Sequence, residues 1–423
     1  MRNRTALVLF LLLVLAVACQ PTAPSLPASP SPVPLTPAPG PTIATAPVLT
    51  VWHSWEAPEE ALARVLLQDY PSLHPGVTVR LRHVPVDRIL SEYEEAVLAG
   101  EGPDLLVGRS SWIGRLAEDH TIVSLEGLLE NGFWDAYSPF GVEAVRYNGE
   151  RYGVPFACET VALYYNKAFV VDPPTTTTRL LELAAQWPGE GQAGLAFPLG
   201  FYNTVGYLYA FGGQLFDEAG NSLLDRPEVK AWLFWLYQVK TSPGVVATES
   251  YSEADARFKA GSVAMTVNGS WALSDYVQAL GEGKLGVARL PMLSVTQAWP
   301  TPYVGCRVLL VNPARLPAHP AATLNLLRFL GGPLFQRMQV SRLGTIPTWK
   351  EIDLSADPLL GAFLEQAQSG RPWPTSPWLD VYWDAVEGLI YNVTARRVPV
   401  DVALDETQRQ LEQALAKQQE ASP

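Results

Sequence analysis

From residue 48 onward, alternating and helical periods follow one another along the chain. Val48-Leu49-Thr50-Val51-Trp52 is a short β-rich run, and Pro58 to Tyr70 carries helical spacing at Ala61, Val65 and Leu66. Pro75-Gly76 turns the chain into Val77-Thr78-Val79-Arg80-Leu81, which alternates as a strand does. Val86 to Ala99 is again amphipathic, and Gly100-Glu101-Gly102-Pro103 ends it before Asp104-Leu105-Leu106-Val107. Strand, helix, strand, helix, strand predicts a parallel sheet with ligands at the carboxyl ends of its strands. Further on, strands are predicted at Thr160–Tyr165, Ser262–Val267 and Val304–Val311, with a turn at Asn268-Gly269-Ser270. Helices are predicted over Asp225–Lys240, Pro320–Leu330, Val381–Tyr391 and Val400–Gln418. Ser252-x-x-Asp255 has the shape of a capping box opening a short helix that stops at Gly261. No repeat of 20–50 residues is visible.

The first 47 residues follow a different rule. Arg2 and Arg4 precede an uninterrupted apolar run from Ala6 to Val17, which ends Ala16-Val17-Ala18-Cys19. That is the layout of a secretory signal, too short for a membrane span of about 20 residues. Cys19 at the cut resembles a bacterial lipobox, with Ala16 where Leu is usual; an ordinary cut after Ala18 and an uncleaved anchor are the alternatives. Residues 20–47 hold ten Pro and no charged side chain, so they favour extended polyproline-like conformations and cannot bury a core. We therefore expect a signal peptide at 1–18, then a lipidated Cys19 and a Pro-rich linker over 19–47. Together they would tether a globular body to the outer face of the bacterial cell membrane, or hold it in a periplasm.

Composition narrows what that body does. At about 150 residues per domain, 423 residues suggest two or three domains. Apolar residues make up 48% and charged residues 17%, which excludes a chain disordered throughout. The net charge of −12 counts against a nucleic-acid binder that relies on phosphate contacts. Three Cys and five scattered His leave no zinc spacing, so no metal site is expected. There is no phosphate loop, dinucleotide fingerprint, nucleophile elbow or metalloprotease helix, so neither a catalytic residue nor a cofactor is assigned. The 13 Trp are an excess that needs an explanation.

Five stretches resemble the bacterial extracellular solute-binding proteins of carbohydrate ABC importers, the maltose/maltodextrin-binding group. They are Leu49 to Trp55; Gly102-Pro103-Asp104-Leu105-Leu106; Ala144 to Gly149 with Pro155 and Tyr165-Asn166-Lys167; Phe258 to Gly261 running into Ala264 to Trp271; and Tyr382 to Val386. The resemblance implies an α/β protein with a two-lobe, periplasmic-binding-protein-like fold of type II. Each lobe would be a mostly parallel sheet flanked by helices, the two joined by crossover hinge strands. The first lobe would hold 48–157 plus 307–352, the second 158–306 plus 353–418. A monomer without enzymatic activity would close on a di- or oligosaccharide and deliver it to the permease subunits of an ABC transporter.

Carried over position by position, the resemblance places Trp271, Trp383 and Tyr202 as stacking plates and Glu159 as a hydroxyl-binding carboxylate. His53, Trp55 and Glu56 fall on the first strand-to-helix loop, where the family holds polar sugar ligands, and Trp52 turns inward to the core. After Asp104 the family's Trp and acidic–basic pair are replaced by Gly108, Ser111 and Trp112, with Trp112 a candidate plate from a shifted position. Gly200 stands where a Glu precedes the second-lobe Tyr. Losing those charged hydroxyl partners puts another oligosaccharide or a disaccharide on equal terms with maltose. Cys158 and Cys306 fall on the crossover strands, where they would form a hinge disulfide or remain two buried thiols. Other classes left open are a secreted carbohydrate-active hydrolase and a binder of ferric ion or peptide.

Overall fold

A computed structural model describes residues 46–187, 192–217, 220–376 and 378–421. The signal-like segment, Cys19 and the Pro-rich linker as far as residue 45 lie outside the described residues. Thirteen strands are described: β1 (Val48–His53), β2 (Thr78–His83), β3 (Leu105–Arg109), β4 (Arg146–Tyr147), β5 (Glu150–Arg151), β6 (Gly153–Glu159) and β7 (Val161–Asn166); then β8 (Ala193–Pro198), β9 (Val245–Thr248), β10 (Val263–Gly269), β11 (Leu285–Ala288), β12 (Tyr303–Val311) and β13 (Arg371–Pro372). Apart from the β4–β5 hairpin they form two sheets, each covered by helices, so the body is two-lobed and α/β.

The first sheet runs β13-β12-β3-β1-β2, with β6 also paired to β12. Strand β1 lies parallel to β2 (Val48 opposite Thr78) and to β3 (Val51 opposite Leu105). The period of two sends alternate residues to opposite faces, and both faces are buried. Leu49, Val51, Leu105, Val107, Leu309 and Val311 pack with Leu326, Leu327 and Leu330 on one side. Trp52, Leu106, Val308 and Leu310 pack with Ile89, Tyr93, Ile113 and Leu116 on the other. Trp52 is thus a core residue, with the Arg82 guanidinium 4.1 Å above its ring.

The second sheet runs β11-β7-β10-β8-β9. Strands β8, β9 and β10 are parallel neighbours, whereas β7 is antiparallel to both β10 and β11. Both sheets are therefore mixed: three of the five pairings in the first are parallel, and two of the four in the second. The cause is the passage between lobes: β6 runs through Thr160 directly into β7, which enters the second sheet from the other lobe. Strand β12 lies antiparallel to both β3 and β6. Thr160 ties the crossing together, donating from its hydroxyl to the Tyr303 carbonyl at 2.8 Å.

Two local expectations change. The helix Tyr251–Lys259 is capped by Ser250, whose hydroxyl accepts the Glu253 N–H, and not by Ser252. The real pattern is Ser250-x-x-Glu253, two residues earlier, because the Glu249–Ser250 bend follows directly on β9. Strand β10 extends through Asn268 and Gly269, so the expected turn begins only at Ser270.

Candidate functional site: the cleft between the lobes

A cavity of about 380 Å³ opens between the two sheets. The crossing strands form its floor, from Ala157, Cys158 and Glu159 of β6 and Gly305, Cys306 and Arg307 of β12. Arg109, Ser110 and Ser111 at the carboxyl end of β3 line the first-lobe side, with Glu56, Pro58 and Glu59 at the start of the helix Ala57–Gln68. Ser270 and Trp271 line the second-lobe side, and Trp373 stands at one wall. This is the crevice that strand ends create in open α/β sheets.

The floor is bonded through. Cys158 and Cys306 face each other on β6 and β12, and a disulfide joins them. Backbone bonds brace the pair: Cys158 and Ile346 exchange N–H···O bonds of 2.8 and 3.2 Å, and the Cys306 N–H donates to the Ser110 hydroxyl at 3.1 Å. Glu159 ends β6 beside this floor. Burial holds its carboxyl above the usual carboxylate range, an effect the Arg109 charge opposes. Arg307 pairs with Glu59. Burial lowers the pKa of its guanidinium, and the charge of Glu56 works the other way.

Trp271 is 44% exposed and lines the cavity. Its indole N–H donates to the Tyr251 hydroxyl at 2.8 Å, which fixes the ring plane. The ring lies across Gly269, where a Cβ would sit 2.1 Å from it. Any larger residue at 269 would displace the plate, which is the physical content of the Gly-Ser-Trp sequence. Tyr202 lies beside Trp271 at 5.7 Å, and its buried hydroxyl has no hydrogen-bond partner. Burial, and next Glu159, push its pKa far up; the residue stands behind the cavity wall, with Trp271 and Trp373 against its ring, and does not itself line the cavity.

Several sequence-derived positions lie elsewhere. His53 and Trp55 do not present their side chains to the cleft. His53 is the last residue of β1 and fully buried, with Nδ1 accepting the Trp55 N–H at 3.2 Å. Burial lowers its pKa to about 4. Trp55 is 2% exposed and packs edge-on against Phe156 and Phe335 in the first-lobe core, with an edge on a hollow beside the cleft. Trp112 lines a separate hollow of about 310 Å³ with His83 and Gly108. It fits there because Gly108 has no Cβ to meet it. That hollow shares Glu56, Arg109 and Arg307 with the cleft. Trp383 does not line the cleft, because Trp373 lies face to face with it at 5.1 Å and 7°.

Trp373, Arg109 and Arg307 are cleft residues that the sequence reading passed over. Trp373 did carry a signal: it sits between Pro372 and Pro374, outside any helix, where an indole has no local core to enter. Among the described residues no group of three or more His, Cys, Asp or Glu gathers as a metal site would require.

Two α/β lobes sharing crossed strands, with an aromatic-walled cleft between them, define the class of two-lobe receptors for small solutes. Residues 66–360 match the family described as bacterial extracellular solute-binding protein, and the chain belongs to that family. It is 28% identical over 355 residues to a maltotriose-binding protein of Pyrococcus abyssi, covering 82% of this chain and 77% of that protein. It is 24% identical over 322 residues to a maltooligosaccharide ABC transporter solute-binding lipoprotein of Streptococcus pneumoniae, covering 70% and 73%. The maltose/maltodextrin-binding domain of Bdellovibrio bacteriovorus, solved bound to maltotriose, superposes with a TM-score of 0.71 at 25% identity over 87% of this chain and all of that one.

Proposed function

We propose that this protein is the extracytoplasmic sugar-capturing subunit of an ABC importer, taking a short glucose oligosaccharide into the cleft between its lobes. The observation that carries the reading is the exposed, hydrogen-bonded indole of Trp271, which lines one cavity together with the Trp373 indole and the Glu159 carboxyl. Sugar rings present C–H faces that lie on aromatic π-faces, while their hydroxyls bond most strongly to charged groups. Glu159, Arg109 and the Glu59–Arg307 pair supply such groups within one cavity. The names of the Pyrococcus and pneumococcal relatives support the same ligand class and the transporter setting.

The lobes close on the sugar because the closed form touches it on both sides, so binding shifts the open–closed equilibrium. The closed form then docks on permease subunits whose ATPase supplies the energy. Lipid on Cys19 holds the protein at the outer face of the membrane, and the Pro-rich linker gives it reach. No helix among the described residues is long and apolar enough to cross a membrane.

The test is calorimetric titration of the purified protein with maltose and maltotriose, with ferric citrate and a tripeptide as controls. Binding to the glucans alone is expected, with Trp271→Ala weakening it at least about tenfold, or about 1.4 kcal/mol. Binding of iron or peptide in place of sugar refutes the ligand class.

A further inference from the structure

We propose that Trp373 sets the length of sugar that the cleft accepts, by covering the face of Trp383 on which one further ring would otherwise stack. The inference rests on the sugar-binding reading above and adds to it a specificity-determining residue.

The geometry of the aromatic stack carries it. The Trp373 and Trp383 rings are nearly parallel, 7° apart, and stacked with centroids at 5.1 Å. A sugar ring held between two plates needs a van der Waals gap of about 3.5–4.0 Å on each side, so the plates must stand about 7–8 Å apart. The pair leaves no such space. Phe201 meets Trp383 at 4.9 Å and 76°, so it crowds that indole as well. Tyr202 also lies against Trp373, at 5.1 Å, and the Trp373 indole is the member of this group that lines the cavity. The plates open to a ligand are therefore Trp271 and Trp373, with Trp383 sealed behind the latter.

The backbone makes Trp373 a wall and not a swinging gate. Its N–H donates to the Val304 carbonyl at 3.0 Å, and the Arg371 N–H donates to Pro302 at 2.9 Å, as β13 pairs with β12. Pro372 and Pro374 restrict the dihedrals on either side. The Arg371 guanidinium lies 4.2 Å over the Tyr209 ring. On the far side, the Thr375 hydroxyl donates to the Arg146 carbonyl at 3.3 Å. The Thr375 carbonyl also presses on Gly114 of the first lobe, so closely that a Cβ there would lie 1.5 Å away. The segment thus spans from the second-lobe aromatic stack to the first lobe and is held at both ends. The cavity it bounds, about 380 Å³, is at the small end of ligand sites.

The experiment compares wild type, Trp373→Ala, Trp383→Ala and the double variant by calorimetry with maltose, maltotriose, maltotetraose and maltopentaose. Thermal unfolding and far-ultraviolet circular dichroism verify that each variant is folded. Trp373→Ala is expected to raise affinity for the longer glucans relative to maltose by about tenfold or more. Trp383→Ala alone should leave that ratio within about threefold of wild type, and the double variant should lose the gain. Trp373→Met, which keeps part of the volume, should move the ratio the same way by less and serves if the alanine variant does not fold. An equal loss of affinity at every length, or a gain that survives in the double variant, overturns the proposal while leaving sugar binding intact. The stack is also read without any sugar, as an exciton couplet in the circular dichroism of wild type that both single variants abolish. Absence of the couplet overturns the wall. A couplet together with no binding of any sugar by wild type overturns the sugar reading and this inference with it.

Discussion

Breaking the Cys158–Cys306 disulfide should cost the protein much of its stability and little of its binding. The bond closes a loop with a sequence separation of 148 residues. In the chain-entropy account, closing a loop of that size removes about 5 kcal/mol of freedom from the unfolded state at 25 °C. The folded state has less to lose. Cys158 is held by two backbone bonds to Ile346, Cys306 by Ser110, and the surrounding register of β6 on β12 pairs Gly305 with Glu159 and Arg307 with Ala157. These contacts persist when the sulfurs separate, so the cleft floor keeps its place.

Guanidinium unfolding of the same protein with and without a phosphine reductant reads the difference. The reduced protein should be about 4–5 kcal/mol less stable, with a steeper denaturant slope because its denatured state is more expanded. An unfolding entropy of about 2.1 cal/mol/K per residue converts that loss into a melting temperature lower by about 5 °C for a chain of 423 residues. Glucan affinity measured on the reduced, folded protein should stay within about threefold. A stability loss below about 1 kcal/mol refutes the assignment of the effect to the long loop. A full stability loss with binding weakened more than about tenfold refutes the claim that strand pairing alone holds the floor.

Gly114→Ala should lower stability by about 1–3 kcal/mol, since the new methyl would meet the Thr375 backbone and the segment must move; thermal unfolding checks it, and an unchanged melting temperature would contradict the contact. The pH dependence of stability should carry the mark of His53, whose pKa is lowered to about 4 by burial. Its unfolded form takes up a proton near pH 6.5, before the folded form does. Stability is therefore full above that pH and falls by up to about 3 kcal/mol as pH drops toward 4. His53→Asn, whose amide oxygen can still accept the Trp55 N–H, should remove this part of the loss; equal pH profiles for the two proteins in unfolding titrations would refute it.

How much of this could be read in advance follows the range of the interactions. The α/β alternation was legible because local periods are strong: Leu49 and Val51 turn to one face and Trp52 to the other, and the covering helices show their apolar stripes, whereas the division into two lobes came from the family resemblance. Trp271 was proposed only through the family resemblance; the structure adds that its indole lies across Gly269, two residues before it, where a Cβ would not fit. The burial of His53 and Trp55 was not legible, because the residues that pack on Trp55, Phe156 and Phe335, come from β6 and from a helix nearly 300 positions later in the chain. No pattern around residue 55 announces them. Trp383 was read as a plate for the same reason, its neighbourhood resembling a stacking site while the residue that covers it arrives with β13.

The positions of Trp55 and Trp383 turn on one physical question. An indole next to a strand end can serve a ligand or a core equally well, and what decides is which surface the fold brings against its face. For Trp55 that surface is another aromatic of its own lobe. For Trp383 it is a tryptophan on a short strap that also touches the opposite lobe through Thr375. A core contact of the first kind is required in every state of the protein. One of the second kind lies at the border of the cleft, where replacing a single side chain exchanges protein surface for ligand surface. Changes of ligand length within this fold are thus expected to concentrate in such border contacts, and the strands that cross between the lobes can stay as they are.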